Sequence, residues 1–401
     1  MGGSFRRSVS AVVVVGLLLA LSGCGRTPAT TKGSSNDTIQ VGAVLSLSGS
    51  YAGLGQPEKN VIDLEVARIN AEGGINGKKL EVVTEDDATD ASKAQTAASK
   101  LIDKGVVAIL GATGTGQTMA LRPDAERAGV PVVSMAGGSI ITEQFSPLVF
   151  QTPWPNRLVV PFTLKYLQST GAKRLALISV TDGYGKDGRE VVLKNLKAYG
   201  VELVADEKFN PGDTDMTSQL TKIKAAKPDA VWLWSAGKEA ATVMKNAASV
   251  NPALGGGLSG SAFNMVGAPG NARVEFIQGA DGSADLFRFA AGKILLPEAY
   301  GKDSEAYKVA TDFIARYRAK YGKNPDIFAG HAYDALHIVV EAAKRVDGEV
   351  TPEKMRAEIE KTDNFVGIGG TFTYSASDHN GLTENDLVMY RIRNGKWELA
   401  K

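Results

Sequence analysis

Residues 106–118 read VVAILGATGTGQT, an apolar run followed directly by a loop of glycines and threonines. The apolar part, Val106–Leu110, predicts a buried strand, and the residues from Gln117 to Ala128 predict a helix. A strand that is apolar throughout is typical of a parallel sheet with helices on both faces. The stretch therefore predicts an α/β fold.

The same alternation of strands and helices extends outward from this stretch in both directions. Ile39–Leu45 predicts an earlier strand, and Val130–Ser134 predicts the next one. The pattern restarts after Trp154, where Leu175–Val180 is one of the predicted strands. We therefore predict two successive doubly wound units. The glycine-rich stretch 255–282 carries no pattern that we can assign.

The loop after Leu110 nearly matches the phosphate-binding pattern G-x-x-x-x-G-K-[ST], but Gln117 stands where lysine is required. Nucleotide hydrolysis is therefore disfavoured, and the glycine spacing does not fit a dinucleotide loop either. Backbone amides at a helix start still favour an anion, and Thr113 and Thr115 add hydroxyl donors. A single carboxylate suits such a site, although a plain strand-to-helix turn is the alternative.

A second loop of small residues, SMAGGS at 134–139, also follows a predicted strand. Ligands of parallel sheets lie beyond the carboxyl ends of the strands, where loops from adjacent strands meet. This second loop favours a ligand site over two unrelated turns.

The beginning of the chain predicts export. A basic pair at 6–7 precedes an apolar run at 11–21, which ends in LSGC at Cys24. This order is typical of a secretion signal, and the run is shorter than the roughly 20 residues that span a bilayer. LSGC resembles a bacterial lipobox, so we expect a signal peptide at 1–23, a lipid on Cys24 and a flexible tether at 24–37. An ordinary signal peptide with a chance cysteine is the alternative.

Composition disfavours several other classes of protein. Lys and Arg total 45 against 44 Asp and Glu, so there is no electrostatic motive for binding nucleic acid. The three histidines have no zinc spacing, and the acids between Glu85 and Asp90 fit helix capping better than a cation site. His331 and Asp334 lie one turn apart on a predicted helix and could pair, but no G-x-S-x-G elbow supplies a nucleophile. We expect no catalytic residue, no metal and no cofactor.

At its two loops the chain resembles the branched-chain amino-acid class of ABC-importer solute-binding proteins, which have the type I periplasmic-binding fold. The resemblance extends from Ile39 to Leu399 and rests on the order and spacing of several segments. These segments are IQVGAVLSLSGSYAGLGQ, INAEGGINGKKLEVVTEDDATD, TDGYGKDG, FAGHAYDALHIVVEAAKR and SASDHNGL.

The resemblance implies two doubly wound lobes joined by a three-strand hinge, with crossovers near Pro153, Pro297 and Gly370. The expected ranges are 38–153 and 297–370 for lobe 1, and 154–296 and 371–401 for lobe 2.

The resemblance also implies ligand contacts in both loops. Thr115 matches a hydroxyl that holds the ligand carboxylate, and the backbone at Ala136 and Gly137 matches a contact from the second loop. Gly138 stands where many relatives have serine or threonine, so Ser139 is the substitute donor.

Further contacts are implied outside the two loops. Tyr184 matches an aromatic residue of the far lobe that covers the ligand, and Phe328 matches an apolar contact to the ligand side chain. Trp234 is a second aromatic candidate, with burial in the core as its alternative. In the amino-acid-binding members of this family, an acidic residue of the far lobe receives the ammonium group of the ligand. The position that aligns with it in this chain is Gly260, which carries no charge.

The departures from the family pattern affect the expected ligand. No Asp or Glu lies near Gly260, and a buried ammonium without an acid is costly. We therefore expect a carboxylate without the amino-acid ammonium, unless another acid such as Glu275 or Asp281 serves. A tyrosine common in the first cleft loop appears as Leu54, although Tyr51 is near.

The predicted function is that of the extracytoplasmic solute-binding component of an ABC importer. A monomer held to the cell membrane through Cys24 captures a small carboxylate by hinge closure and delivers it to permease subunits. The ligand is a branched-chain amino acid or a related aliphatic or aromatic acid. The same lobes presenting their ligand to a signalling receptor are the alternative, and an extracytoplasmic hydrolase is disfavoured.

Overall fold

The structure is a computed structural model and describes residues 37–250 and 264–400. The expected signal peptide, Cys24 and Gly260 lie outside the described residues. Among the helices that are described, none combines the length and the apolar character that a membrane crossing requires.

The first sheet has five parallel strands in the order β2-β1-β3-β4-β5. Every residue of β3, β4 and β5 is buried, as expected for strands that are covered on both faces. The strands are β1 (Thr38–Leu45), β2 (Lys79–Asp86), β3 (Ile109–Gly111), β4 (Val132–Ser134) and β5 (Val149–Gln151).

Helices from two separate parts of the chain cover this sheet. The first group is α1 (Ala52–Ala71), α2 (Ala91–Asp103), α3 (Thr115–Ala128) and α4 (Ile140–Glu143). The second group follows the other sheet and is α10 (Glu305–Tyr321), α11 (Ile327–Arg345) and α12 (Pro352–Glu360). Helix α11 is buried along most of its length and packs on α1.

The second sheet has the order β14-β13-β10-β9-β8-β6-β7, and β13 and β14 are antiparallel to their neighbours. Its strands are β6 (Arg174–Val180), β7 (Glu202–Phe209), β8 (Ala230–Trp234), β9 (Asn264–Gly267), β10 (Arg288–Ala291), β13 (Val388–Arg393) and β14 (Lys396–Leu399). Its helices are α5 (Asn156–Ser169), α6 (Gly183–Asn195), α7 (Thr217–Ala225), α8 (Glu239–Val250) and α9 (Val274–Ala280). A hairpin turn at Asn394 and Gly395, both at positive φ, joins β13 to β14.

The chain passes between the two sheets three times: after β5, after β10, and after the short pair β11 (Phe365–Val366) and β12 (Thr371–Phe372). The third passage comes later than the position near Gly370. The Gln151 amide donates to the His379 carbonyl at 2.9 Å, so this segment still contacts the first sheet. The chain enters the second sheet only at Val388.

Candidate functional site

A cavity lies between the two lobes, beyond the carboxyl ends of the parallel strands, and the space between its walls, including its opening to solvent, is about 440 Å³. Its position is the one expected for ligand sites of open α/β sheets. Its lining residues are Tyr51, Leu54, Thr113, Gly114, Thr115, Met135, Ala136, Gly137, Pro153, Trp154, Tyr184, Ala236, Pro269, Gly270, Ile327, Phe328 and His331.

The loop between β3 and α3 contributes an open helix start. Helix α3 begins at Thr115, and its N-cap residue Gly114 provides no side-chain cap. Amides in the first turn of a helix have no partner within the helix and carry positive partial charge. The Thr115 hydroxyl is buried and has no hydrogen-bond partner in the part of the chain that the structure describes. Amides and hydroxyl together are suited to a carboxylate.

Thr113 also lines the cavity, but its hydroxyl is already used. It accepts from the Ser46 amide at 3.0 Å and donates to the Glu58 carboxyl at 2.5 Å. Burial raises the pKa of Glu58 well above its ordinary value, against the lowering effect of the bond from Thr113. Thr113 therefore anchors the loop, whereas Thr115 keeps its donor free.

The second loop contributes Ala136 and Gly137 to the lining. The Gln151 side chain holds this loop, because its amide donates to the carbonyls of Ala136 and Gly138 at 2.7 and 2.9 Å. A Cβ atom on Gly138 would lie 2.3 Å from the methyl carbon of Thr115. The glycine at this position thus makes room for the threonine of the first loop.

Ser139 and Trp234 do not line the cavity, in contrast to the expectation from the sequence. The Ser139 hydroxyl accepts from the Arg157 amide at 2.7 Å, so it connects the loop to α5. Trp234 is fully buried in the far lobe, and its indole fills the space beside Gly188, where a Cβ atom would meet the ring at 2.0 Å. Trp234 therefore belongs to the hydrophobic core of the far lobe, where its ring packs beside that of Tyr184 with ring centres 5.9 Å apart.

The far lobe covers the cavity with Tyr184, Ala236, Pro269 and Gly270. Burial raises the pKa of Tyr184 above its ordinary value, so its hydroxyl stays neutral. No Asp, Glu, Lys or Arg lines the cavity among the residues of the described ranges. The stretch 251–263 that contains Gly260, NPALGGGLSGSAF, has none of these residue types either.

His331 is a lining residue that the sequence did not identify as one. Its imidazole is buried, and Nδ1 has no hydrogen-bond partner among the described residues. Burial lowers its pKa to about 3, so the ring is neutral. It does not pair with Asp334, whose carboxylate accepts from the amides of Ile368 and Gly369 at 2.6 and 2.7 Å. The available signal was its position one helical turn after Phe328.

Carboxylates of the far lobe hold the two lobes together around the cavity. The Tyr51 hydroxyl donates to Asp182, and the Ser50 hydroxyl donates to Glu239 at 3.0 Å. Asp187 accepts from the amides of residues 139 and 140 at 2.8 and 2.9 Å. Asp182 and Glu239 thus make contacts between the lobes, and neither of them lines the cavity.

The acids between Glu85 and Asp90 bind the backbone or nearby lysines, and Glu85 pairs with Lys100 and Lys104. Asp86 accepts from the amides of Leu47 and Ala88, and Asp90 caps α2 through the Lys93 amide. Within the described ranges, no group of three or more potential ligands is arranged to hold a metal ion.

This geometry defines a two-lobed α/β protein with a cavity between its lobes at the place where such sheets bind ligands. The family model described as periplasmic binding protein matches residues 38–396. The chain therefore belongs to the periplasmic binding protein family.

Individual relatives agree with this assignment. The leucine-, isoleucine-, valine-, threonine- and alanine-binding protein of Pseudomonas aeruginosa is 25% identical over 88% of this chain and 90% of its own length. Leu/Ile/Val-binding protein homolog 7 of Brucella melitensis is 27% identical over 88% of each chain.

Solved structures are similar over nearly the whole chain. One is the branched-chain amino acid transporter substrate-binding protein of Streptococcus pneumoniae in complex with isoleucine, with TM-score 0.78, 29% identity, and coverage of 91% of this chain and 99% of that one. Another is an extracellular ligand-binding receptor from Rhodopseudomonas palustris, with TM-score 0.82, 28% identity, and coverage of 90% and 99%. The predicted type I periplasmic-binding fold is confirmed.

Proposed function

We propose that this protein is the extracytoplasmic solute-binding component of an ABC importer and that its cavity captures a small carboxylate. The single observation that carries this is the Thr115 hydroxyl at the uncapped start of α3, which is buried in the wall of the cavity and has no hydrogen-bond partner among the described residues. A buried polar group without a partner is costly, and a ligand oxygen would remove that cost. The relatives named for leucine, isoleucine and valine support a ligand of similar size.

We further propose that the ligand lacks the ammonium group of an amino acid. An α-ammonium enclosed in this cavity would meet no carboxylate from the described lining, and the stretch 251–263 contains no acid. Burying a charge without a partner is strongly unfavourable. The carboxylate meets the opposite situation, because α3 presents its amides and the Thr115 hydroxyl. An aliphatic or aromatic monocarboxylic acid fits both conditions.

Capture follows from the contacts between the lobes. The first lobe holds the anion, and the far lobe covers it with Tyr184 while Tyr51 and Ser50 engage Asp182 and Glu239. Closure is favoured only to the extent that the ligand binds the closed form better than the open form. The aromatic cover of Tyr184 and the contacts between the lobes provide this difference in affinity.

Calorimetry with a matched ligand pair tests both proposals. Leucine and 4-methylpentanoate differ only in the ammonium group, and we expect the second to bind more tightly to the full-length chain in detergent. Thr115→Val keeps the shape but removes the hydroxyl, and should weaken binding by about 1.5–3 kcal/mol, the contribution of a hydrogen bond to a charged group. Thr115→Ser keeps the hydroxyl and is the control.

The outcomes separate the two proposals. Tighter binding of leucine than of 4-methylpentanoate would contradict the ammonium-free ligand but not the site. Unchanged affinity in Thr115→Val would contradict the site itself.

We also propose that a lipid on Cys24 holds the protein at the outer face of the cell membrane, where permease subunits receive the ligand. The leader at 6–21 and the lone cysteine after LSG support this. Metabolic labelling with a radioactive fatty acid should mark the native chain and not Cys24→Ser, which should leave the membrane fraction. Labelling of Cys24→Ser would contradict the proposed site.

A further inference from the structure

The cavity contains a second unpaired polar group besides Thr115. His331 is 3% exposed, lines the cavity, and has no hydrogen-bond partner for Nδ1 within the described ranges. Most buried polar atoms in proteins have a partner, and each exception needs an explanation. The His331 backbone carbonyl accepts from the Thr152 hydroxyl at 3.2 Å, and this bond leaves Nδ1 of the imidazole without a partner among the described residues.

The surroundings of the ring are apolar on the protein side. The Trp154 ring stands edge-on to it with centres 5.0 Å apart, and the Phe328 ring does so at 6.0 Å. Neither aromatic neighbour accepts or donates a conventional hydrogen bond to the imidazole. An imidazole that packed there only to fill space would gain nothing over leucine, since its buried Nδ1 loses water without replacement among the described residues.

We propose that His331 hydrogen-bonds a neutral oxygen of the ligand, a hydroxyl or a carbonyl, that the ligand carries in addition to its carboxylate. The inference rests on the proposed function, because it takes the carboxylate to be held at Thr115. The ligand class is then a hydroxy- or oxo-substituted carboxylic acid, bound at two points inside one cavity.

The described lining of the cavity has no Asp, Glu, Lys or Arg, and this excludes a second carboxylate or an ammonium as the ligand group that binds His331. A second carboxylate would require a cation, and neither the described lining nor the stretch 251–263 contains Lys or Arg. The imidazole cannot readily serve as that cation, because burial holds its pKa at about 3. An ammonium would require an acid, which is equally absent from these residues. A neutral imidazole has one donor and one acceptor nitrogen, and this suits a hydroxyl or carbonyl.

Matched acid pairs test the inference by calorimetry on the full-length protein. The pairs are 3-phenylpropanoate with 3-(4-hydroxyphenyl)propanoate, benzoate with 4-hydroxybenzoate, and 4-methylpentanoate with 4-methyl-2-oxopentanoate. In at least one pair, the oxygenated acid should bind about tenfold more tightly to the native protein, the effect of one satisfied hydrogen bond. In His331→Leu, which keeps a side chain of similar size but removes both ring nitrogens, the ratio within that pair should fall to about one.

A second variant controls for misfolding. His331→Asn retains a donor and an acceptor and should keep part of the preference. Thermal unfolding followed by circular dichroism checks both variants. Should His331→Leu fail to fold, native mass spectrometry of the co-purified ligand decides instead: an acid with no oxygen beyond its carboxylate overturns the inference.

The remaining outcomes are distinguishable from a failure of the proposed function. Equal affinity within every pair for the native protein, or a preference that persists in His331→Leu, overturns the role of His331 alone. Thr115→Val should weaken both members of a pair equally and leave their ratio unchanged. If Thr115→Val changes nothing, the carboxylate site fails, and the two-point binding mode fails with it.

Discussion

Helices α3 and α6 both begin at the cavity, one from each lobe, and their first turns differ. Helix α3 of the first lobe follows Gly114, which offers no side-chain cap. Helix α6 of the far lobe follows Asp182, whose carboxylate accepts from the Gly185 amide at 2.8 Å and from the Tyr51 hydroxyl. Both helices direct positive partial charge toward the cleft, but only α6 has an acid of its own.

The difference separates two tasks that the cleft must perform. The capped helix uses its acid to dock on the opposite lobe through Tyr51. The uncapped helix keeps its amides and the Thr115 hydroxyl for an anion from outside. A cap on α3 would improve the helix and remove the site, so its absence is better explained by binding than by folding.

Placing an acid at the N-cap of α3 should have the largest effect on ligand affinity. Gly114→Asp places a carboxylate where the ligand carboxylate is expected, and two like charges about 4 Å apart repel by about 4 kcal/mol at an effective dielectric constant of about 20. Calorimetry with 4-methylpentanoate should therefore show a loss of affinity of more than about a hundredfold. Gly114→Asn is the control, since it crowds Tyr51 and Gln117 in the same way without the charge. Equal losses in both variants would contradict an anion site at α3.

The contact between the two helix starts provides the next test. A Cβ atom on Gly183 would lie 2.6 Å from the backbone nitrogen of Gly116, whereas one on Gly116 would lie 3.7 Å from the nearest atom of Gly183. Gly183→Ala should therefore oppose closure and weaken binding by about 1–3 kcal/mol, the usual cost of overpacking. Gly116→Ala should bind nearly as the native protein does. Indistinguishable affinities for the two variants would show that these helix starts do not meet in the bound state.

Removing the docking bond should have a smaller effect. Tyr51→Phe keeps the ring in the cavity wall but deprives Asp182 of its partner from the opposite lobe. We expect binding to weaken by about 1 kcal/mol, with the loss in a faster dissociation rate. Ser50→Ala, which removes the neighbouring bond to Glu239, is the matched comparison in stopped-flow measurements. An unchanged dissociation rate in Tyr51→Phe would mean that the bond does not hold the lobes closed.

The smallest expected effect is a pH dependence of the folding stability, which we expect from the Asp182 cap of α6 and not from the start of α3. Burial raises the pKa of Asp182 above its ordinary value of 3.8, against the lowering effect of its hydrogen bonds. The folded protein therefore keeps this proton at a pH where the unfolded chain has lost it. The associated stability is fully present below pH 3.8 and is lost as the pH rises through the raised pKa.

Denaturant titrations at several pH values check this sign. The free energy of unfolding of the native protein, minus that of Asp182→Asn, should fall as the pH rises above about 4. The same difference for Gly114→Asn should be flat, because the start of α3 has no titratable cap. A difference for Asp182→Asn that rises with pH would reverse the sign and contradict the raised pKa.

Much of the fold can be predicted from the sequence, because parallel strands that are buried on both faces consist of consecutive apolar residues. The stretch 106–118 predicted a strand and a helix, and both are present, although α3 begins at Thr115 and not at Gln117. The stretch 255–282 was unassigned, yet part of it forms β9 and α9. Strand β9 is only four residues long and is defined by its pairing with β8, which no local pattern reveals.

The candidate site was predictable where backbone position decides it. Thr115, Ala136 and Tyr184 follow strand ends and meet in the cavity, as does Phe328 at the start of α11. Ser139 could not be judged in the same way, because its partner is the backbone amide of Arg157, whose proximity depends on how α5 packs. Trp234 likewise required knowledge of the space beside Gly188. The sequence identifies strand ends more readily than the neighbours of a side chain.

Trp154 lies at the point where the cavity meets the connections between the lobes. It follows β5, its indole nitrogen donates to the carbonyl of Gly369 at 2.9 Å, and its ring packs on Gly292, just after β10. The chain has four tryptophans, and Trp154 is the one that lines the cavity. Its fluorescence should therefore respond to ligand capture directly, which would make the protein an optical sensor of its own cargo without an attached dye.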